Sequence, residues 1–294
     1  MAQRMVIFGG TGFVGRSVAQ AARDAGWEVR VASRSGASVD GAEAVSCNIT
    51  SDADATEALA DTQVAVNCVG ILAPSGDNTF ERLQAEGAER IARISQETGV
   101  AKIVHISAIG ADASSPSVYQ RTKAAGEAGV LRHMPDALIL RPSIVFGPDD
   151  SFFNRFADMS KLSPFVPVVG AETRFQPVYV GDVASAVIAG LGQDKTGIHE
   201  LGGPDVESFS ALMHRMLDVL GRKRLVLPLP SIVGMAMGTS FEILSKVTGL
   251  EPQITRDQVK NLGTDNVVSG DFPGLQDLGI TPTPMADILP TYLR

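Results

Sequence analysis

Short apolar runs alternate with longer amphipathic stretches through the first half of the chain. Arg4–Phe8, Trp27–Ala32, Val64–Val69, Lys102–Ser107 and Ala137–Leu140 are brief and dominated by Val, Ile, Ala and Leu. Runs of that length and composition predict strands covered on both faces. Between them apolar residues recur every three or four positions. Phe13–Ala25 places Val14, Val18, Ala21, Ala22 and Ala25 on one face and is stopped by Gly26. Phe80–Thr98 turns Phe80, Leu83, Gly87, Ile91 and Ile94 inward and ends at Gly99, and Ser115–His133 stops before Pro135. Strands separated by helices of this length predict an α/β fold, a doubly wound parallel sheet with right-handed crossovers.

After Phe146 Gly and Pro become frequent and the alternation loses its regularity. Helical patterns persist at Phe152–Met159, Asp182–Gly190 and Phe209–Leu220, with strands near Phe175–Val180 and Ile198–Leu201. The expectation is a sheet domain over 1–146, completed by later segments such as 175–180. Residues 147–294 would then form a smaller C-terminal α/β lobe that does not stand alone. Neither an internal repeat nor a low-complexity tract interrupts this plan.

Composition narrows the function. The 294 residues are 44% hydrophobic and 20% charged, ordinary for a globular protein of one domain or one and a half. Lys plus Arg is 25 and Asp plus Glu 33, so the net charge is 25 − 33 = −8. Such a chain repels nucleic acid unless a basic patch intervenes, and no long one does. Cys47 and Cys68 sit in apolar runs, which reads as a reduced intracellular protein with both packed in the core. His105, His133, His199 and His214 are scattered, so no metal site is expected.

Met5–Phe8 already reads as a strand, with neither a secretory apolar region nor an Arg-rich transit peptide before it. That implies a bacterial cytoplasmic protein, or one whose presequence has been removed. No segment reaches the ~20 apolar residues of a membrane helix. The nearest, Leu225–Phe241, carries no charge but is broken by Pro228 and Pro230. Arg222-Lys223-Arg224 leads into it, and Ser231–Ile243 has helical rhythm with Ile232, Met235 and Phe241 among its apolar positions. Residues 222–244 therefore read as an element that docks on a membrane surface or a partner, or as a helix packed into its own lobe.

Gly9-Gly10-Thr11-Gly12-Phe13-Val14-Gly15 lies between the first strand and the first helix. Gly9 permits a tight turn, Gly12 lets backbone approach a pyrophosphate, and Gly15 allows close packing. The helix start offers its N–H groups and positive dipole end to phosphates. This is the Rossmann-type dinucleotide arrangement. The second strand ends in Ser33-Arg34, without the acid that would bind a ribose 2′-hydroxyl. Arg34, with Ser33 and Arg16 beside it, suits a 2′-phosphate, so the cofactor expected is NADP(H). Loops leaving the sheet's carboxyl edge supply further contacts: Asn48 and Ile49 at adenine, Cys68, Val69 and Gly70 along ribose and diphosphate, and Pro142, Ser143 and Ile144 at nicotinamide.

With these motifs in order, the chain resembles the short-chain dehydrogenase/reductase superfamily in its extended and atypical branches. Asn67–Gly70, Val104–Ser107, Tyr119–Lys123, Leu140–Gly147 and Gln176–Ala184 follow the glycine loop as that superfamily's motifs do. More narrowly, Glu86–Ser95, Ser117–Glu127, Phe146–Ala157, Arg174–Ala184, Glu251–Val259 and Phe272–Pro284 resemble the dehydrogenase-like, NADPH-binding accessory subunits of respiratory complex I and their bacterial relatives. The resemblance implies Tyr119 as general acid or base, Lys123 lowering its pKa and holding the nicotinamide ribose, and Ser107 beside them. Four residues apart, Tyr119 and Lys123 share one helix face. The set departs from the pattern at Ala108 and Ile109, where hydroxyls usually continue the site, and at Gln84, where an asparagine is usual. Tyr119 and Lys123 then serve a ribose clamp rather than catalysis.

Three readings follow. The first is an NADP(H)-binding accessory or assembly subunit of bacterial complex I, cytoplasmic or peripheral on the cytoplasmic face of the inner membrane, with complex I subunits as partners. The second is a reductase or epimerase/dehydratase acting through Tyr119. The third is a redox sensor that binds NADP(H) and a partner.

Overall fold

A computed structural model describes residues 3–248, 252 and 254–294. The chain begins β1 (Arg4–Phe8), α1 (Phe13–Asp24), β2 (Glu28–Ser33), β3 (Glu43–Ser46), α2 (Asp52–Leu59) and β4 (Val64–Asn67). A π-helical turn (Glu81–Glu86) opens α3 (Gly87–Thr98), followed by β5 (Lys102–Ile106), α4 (Val118–His133) and β6 (Leu138–Pro142). Then come β7 (Val145–Phe146), α5 (Phe153–Leu162), β8 (Phe165–Val169), β9 (Arg174–Phe175), β10 (Val178–Tyr179) and α6 (Val180–Gly192). The last elements are β11 (Gly197–Leu201), β12 (Glu207–Ser208), α7 (Phe209–Val219), β13 (Leu225–Leu229), α8 (Ser231–Thr248), α9 (Arg256–Asn261) and α10 (Met285–Tyr292).

Seven strands form one sheet in the order β11-β6-β5-β4-β1-β2-β3. All its ladders are parallel. Alternation along β1 divides the core. Met5 and Ile7 join Val31, Val66, Val104 and Leu140 on the face covered by α1 and α6. Val6 and Phe8 join Ala65, Ile103 and Ile139 on the opposite face, under α2, α3 and α4. A third core, around Phe146, Phe153, Phe175, Phe209, Leu212 and Met216, builds the later lobe. Its Phe152, Phe156, Phe175 and Phe209 rings lie 5.5–6.4 Å apart, the spacing aromatic pairs prefer.

The strand that closes the sheet is β11, in register with β6 from Gly197↔Leu138 to Leu201↔Pro142. The expected segment 175–180 lies elsewhere. Its Gln176-Pro177 splits the run, because Pro177 has no N–H to give a ladder. The halves pair apart, β9 antiparallel with β12 and β10 parallel with β7. The two-stranded ladder β8–β13 was also hidden in the sequence by Pro167 and Pro228 within it.

Helices α3 and α4 meet at glycines. A Cβ at Gly126 would stand 2.2 Å from the Gln84 carbonyl oxygen, and one at Gly129 would stand 2.7 Å from the Glu89 Cβ. This close approach fixes the face of α4 that carries Tyr119 and Lys123.

Candidate functional site

The glycine loop crosses from β1 to α1 at the sheet's carboxyl edge. Gly9 has φ +72°, and a side chain there would also crowd Cys68 and Val69 at 3.2 Å. Gly15 closes the far side: a Cβ would lie 2.3 Å from the Gly9 carbonyl oxygen and 2.6 Å from the Gly10 Cα. Gly15 therefore packs on the loop itself, not on the strand. Gly12 caps α1 with no side-chain hydrogen bond, and the first turn contains no acidic residue. Thr11 is half-buried and Gly12 exposed, so the opening N–H groups at Phe13 and Val14 have neither a capping side chain nor a carboxylate against them. That is a cradle for an anion.

Around it, Ser33 is buried and Arg34 exposed, with Arg34 Nη1 donating to Asn78 Oδ1 at 2.9 Å. Arg16 is turned elsewhere than expected. It donates to the Thr11 carbonyl at 2.8 Å and pairs with Asp149 at 3.0 Å, tying the glycine loop to the segment after β7. Asn48 is exposed, and its side-chain oxygen accepts from Thr50 N and Oγ1 in a local turn. Ile49 is buried beneath Gly87.

Tyr119 and Lys123 share a face of α4 but do not act on each other. Lys123 is buried, and its Nζ donates to the Ile106 carbonyl at 3.1 Å. The same amine lies 3.6 Å from where a Cβ at Gly70 would stand. Burial pulls its pKa down to about 8 against the opposing attraction of Glu127 and Cys68. Tyr119 packs edge-on against Phe80 at 5.7 Å, and burial pushes its phenol up to about 12. That is the reverse of the lowered pKa the resemblance implied. Burial likewise pushes Cys68 up to about 12 and holds His105, hydrogen-bonded to Asn67 at 3.1 Å, down at about 3.

Ser107 is engaged in a group the sequence reading missed. Its hydroxyl donates to Glu127, whose carboxylate also receives Arg141 Nε at 2.8 Å and Nη2 at 2.6 Å. Both ion-pair partners are largely buried. The pair bolts α4 to β6, and Arg141 lies over the Phe272 ring at 5.2 Å. Gln84 is structural as well, donating to the Ile71 carbonyl at 2.8 Å and accepting from Thr122.

The largest unforeseen feature is a strap formed by residues 255–269 across the site. Thr255 and Gln258 form a capping box that starts α9. Asp257 then reaches the beginning of α4, accepting from Ser117 Oγ at 2.7 Å, Val118 N at 2.8 Å and Tyr119 N at 3.0 Å. Gln258 donates to the Leu72 carbonyl at 3.0 Å. Further on, Asn266 accepts the Ser143 hydroxyl at both its backbone and side-chain oxygens, at 2.8 and 2.7 Å. Ser269 donates to the buried Glu200 through N at 2.6 Å and Oγ at 2.9 Å. Pro142 is buried and Ile144 half-buried beside this contact. The only advance signal was the Glu251–Val259 motif, of which Glu251 and Gln253 lie outside the described residues.

The structure thus brings the glycine loop, the Lys123 amine, Gly70 and Ser143 to one edge of a parallel sheet. The arrangement defines a nucleotide-binding Rossmann protein, and the chain belongs to the NAD dependent epimerase/dehydratase family, which matches residues 5–202. It is similar to NADH dehydrogenase [ubiquinone] 1 alpha subcomplex subunit 9, mitochondrial, of Arabidopsis thaliana, at 34% identity over 94% of this chain and 73% of the relative. The Mus musculus protein of that name is 33% identical over 78% of this chain, which spans only 60% of it. The ceramide reductase of Caulobacter vibrioides is 27% identical over 83% of this chain and 79% of its own. Among solved structures, that of gox2253 superposes with a TM-score of 0.76 at 22% identity, covering 99% and 96% of the two chains, and shows the shared fold.

Proposed function

We propose that the chain is an NADP(H)-holding accessory or assembly subunit of bacterial respiratory complex I, peripheral on the cytoplasmic face of the inner membrane. The strap carries this reading. Asn266 engages Ser143 and Asp257 engages the start of α4, so the protein's own chain ties down the segment after β6 and the end of the helix that carries Tyr119. Ser107 is held by Glu127, and the Tyr119 phenol is pushed up rather than down. A general acid or base works best with a pKa near the working pH. The relatives named as NADH dehydrogenase subunits supply the proposed partner.

The residues present fit a dinucleotide, which would bring hydride chemistry with it when bound. Gly9, Thr11, Gly12, Phe13, Val14 and Gly15 would cradle the pyrophosphate. Ser33 and Arg34, with no acid at the end of β2, favour a 2′-phosphate and hence NADP(H). Asn48 and Ile49 border adenine; Cys68, Val69, Gly70, Tyr119 and Lys123 border ribose; Pro142, Ser143 and Ile144 border nicotinamide. Arg16 and Ser107 support the loop and α4 instead of touching the ligand.

A reductase is the second reading, favoured by Tyr119 and Lys123 on one helix face and by the Caulobacter relative. One comparison separates the two: native mass spectrometry and native gels of wild type and Tyr119→Phe, with NADPH oxidation over a carbonyl panel. A subunit retains nucleotide, co-migrates with complex I and loses only about 0.5–1.5 kcal/mol of affinity, one neutral hydrogen bond. Sustained turnover that falls roughly 10²–10⁴-fold in the variant would make it an enzyme and refute the proposal.

A further inference from the structure

The ladder β8–β13 and helix α8 leave an apolar strip uncovered. Alternation along β13 buries Val226 in the lobe core and exposes Leu225 at 57% and Leu227 at 40%. Phe165, the register partner of Leu225, is 48% exposed, and Leu162 just before it is 93% exposed. Helix α8 continues the strip. Gly234 and Gly238 pack inward on Val169 and on the Thr255–Arg256 backbone. Ile232 and Ile243 face out at 78% and 59% exposure.

A shallow depression, largely open to solvent, lies at the head of the strip between α7 and β13. His214, Arg222, Lys223 and Arg224 line it, and Asp218 is the acidic residue in its wall. The two guanidiniums are anchored on main-chain and hydroxyl oxygens. Arg222 donates to the Ala157 carbonyl and to Ser160 Oγ at 2.8 Å, and also to an oxygen of Arg294. Arg224 donates to the Ser160 carbonyl at 2.8 Å. Among the described residues, none of the three cations is paired with a side-chain carboxylate. On a chain of net charge −8, this local excess of positive charge stands beside exposed leucines and a phenylalanine.

We propose that this face docks on a bilayer containing anionic phospholipid: the depression takes the phosphate of a headgroup, and Phe165, Leu225, Leu227 and Leu162 enter the acyl boundary. Apolar residues bounded by cations are the pattern of an interfacial element. A protein strand adding to the ladder fits less well, because Pro167 and Pro228 lack the N–H groups such pairing needs. This inference deepens the peripheral placement proposed above but needs no other subunit.

Flotation of the full chain with phosphatidylcholine vesicles, with and without phosphatidylglycerol, tests it. Lys223 and Leu225 are exposed, so Lys223→Glu and Leu225→Asp should leave the fold intact, which a thermal melt verifies. Expected is binding to the anionic vesicles alone, weakened by salt and reduced at least about tenfold by either substitution. Equal binding to neutral vesicles, no flotation, or flotation indifferent to both substitutions would overturn it. Capture by detergent-solubilised complex I that Leu225→Asp abolishes, without vesicle binding, would give the face to a protein partner instead. The vesicles hold no protein, so a positive result stands even if the complex I reading fails.

Discussion

Replacing Asp257 with alanine removes the acceptor that joins the strap to α4. One carboxylate takes three hydrogen bonds there, two of them from the first amides of the helix. A hydrogen bond to a charged group contributes about 1.5–3 kcal/mol, and loss of an N-terminal cap costs about 0.5–2 kcal/mol. The three bonds share one acceptor, and Ser117 Oγ still accepts from Gln120 N at 3.3 Å, so the sum overstates the effect. A loss of about 2–3 kcal/mol is expected, with a melting temperature about 4–12 °C lower for a chain of this size. The same loss weakens the strap's hold over the cleft. If nucleotide leaves through that opening, NADPH release should quicken roughly 25–150-fold, tenfold for each 1.4 kcal/mol. Stopped-flow displacement of fluorescent NADPH measures the rate, and Asp257→Asn, which keeps an acceptor without its charge, should fall between. A lowered melting temperature with an unchanged release rate would refute the idea that the strap covers the exit. If neither quantity moves, the carboxylate does not bind the two segments together.

Arg34→Ala should weaken NADPH by about 1.5–3 kcal/mol and leave NADH nearly untouched; indistinguishable wild-type titrations for the two nucleotides would sink the NADP(H) assignment. In Gly15→Ala the new Cβ meets the Gly9 carbonyl at 2.3 Å, so the loop must move. Calorimetry should show NADPH affinity down roughly a hundredfold, with circular dichroism unchanged. Lys123 titrates near pH 8, so affinity for NADPH should fall as pH rises through 8, and Lys123→Met should be flat there. Without nucleotide the sign is opposite. The folded value lies below the ordinary 10.5, so the neutral amine's stability contribution is complete above 10.5 and lost as pH falls to about 8. Urea midpoints measured from pH 7 to 11 would check it.

The parallel sheet was legible because its signals are local: apolar runs four to six residues long, a glycine loop between strand and helix, and Gly or Pro at the helix ends. The place of the glycine loop between β1 and α1 was legible for the same reason. What escaped depends on residues distant in sequence. Asp257 meets Ser117 across 140 positions, and Asn266 meets Ser143 across 123. Nothing in the neighbourhood of either residue marks its partner. Glu127 and Arg141 are only 14 apart but lie on different elements, a helix and a strand, so no periodicity links them. The contacts of Ser107 with Glu127 and of Arg16 with Asp149 were not legible, because a hydroxyl or guanidinium beside a motif says nothing about which neighbour engages it. Proline misled in both directions: Pro177 broke a run that looked whole, and Pro228 disguised a strand.

The strap also sets an order of events during synthesis. A ribosome exposes the glycine loop, Lys123 and Ser143 long before Asp257 and Asn266 have been made. Until then, neither the start of α4 nor Ser143 has the hydrogen bonds that the strap supplies. Nucleotide would therefore load most readily while translation is still under way. Comparing the content of protein expressed whole with protein refolded from urea in added NADPH reads this out; equal loading at equal speed would remove the distinction. On this timing, nucleotide present during translation would have the freest access to the glycine loop.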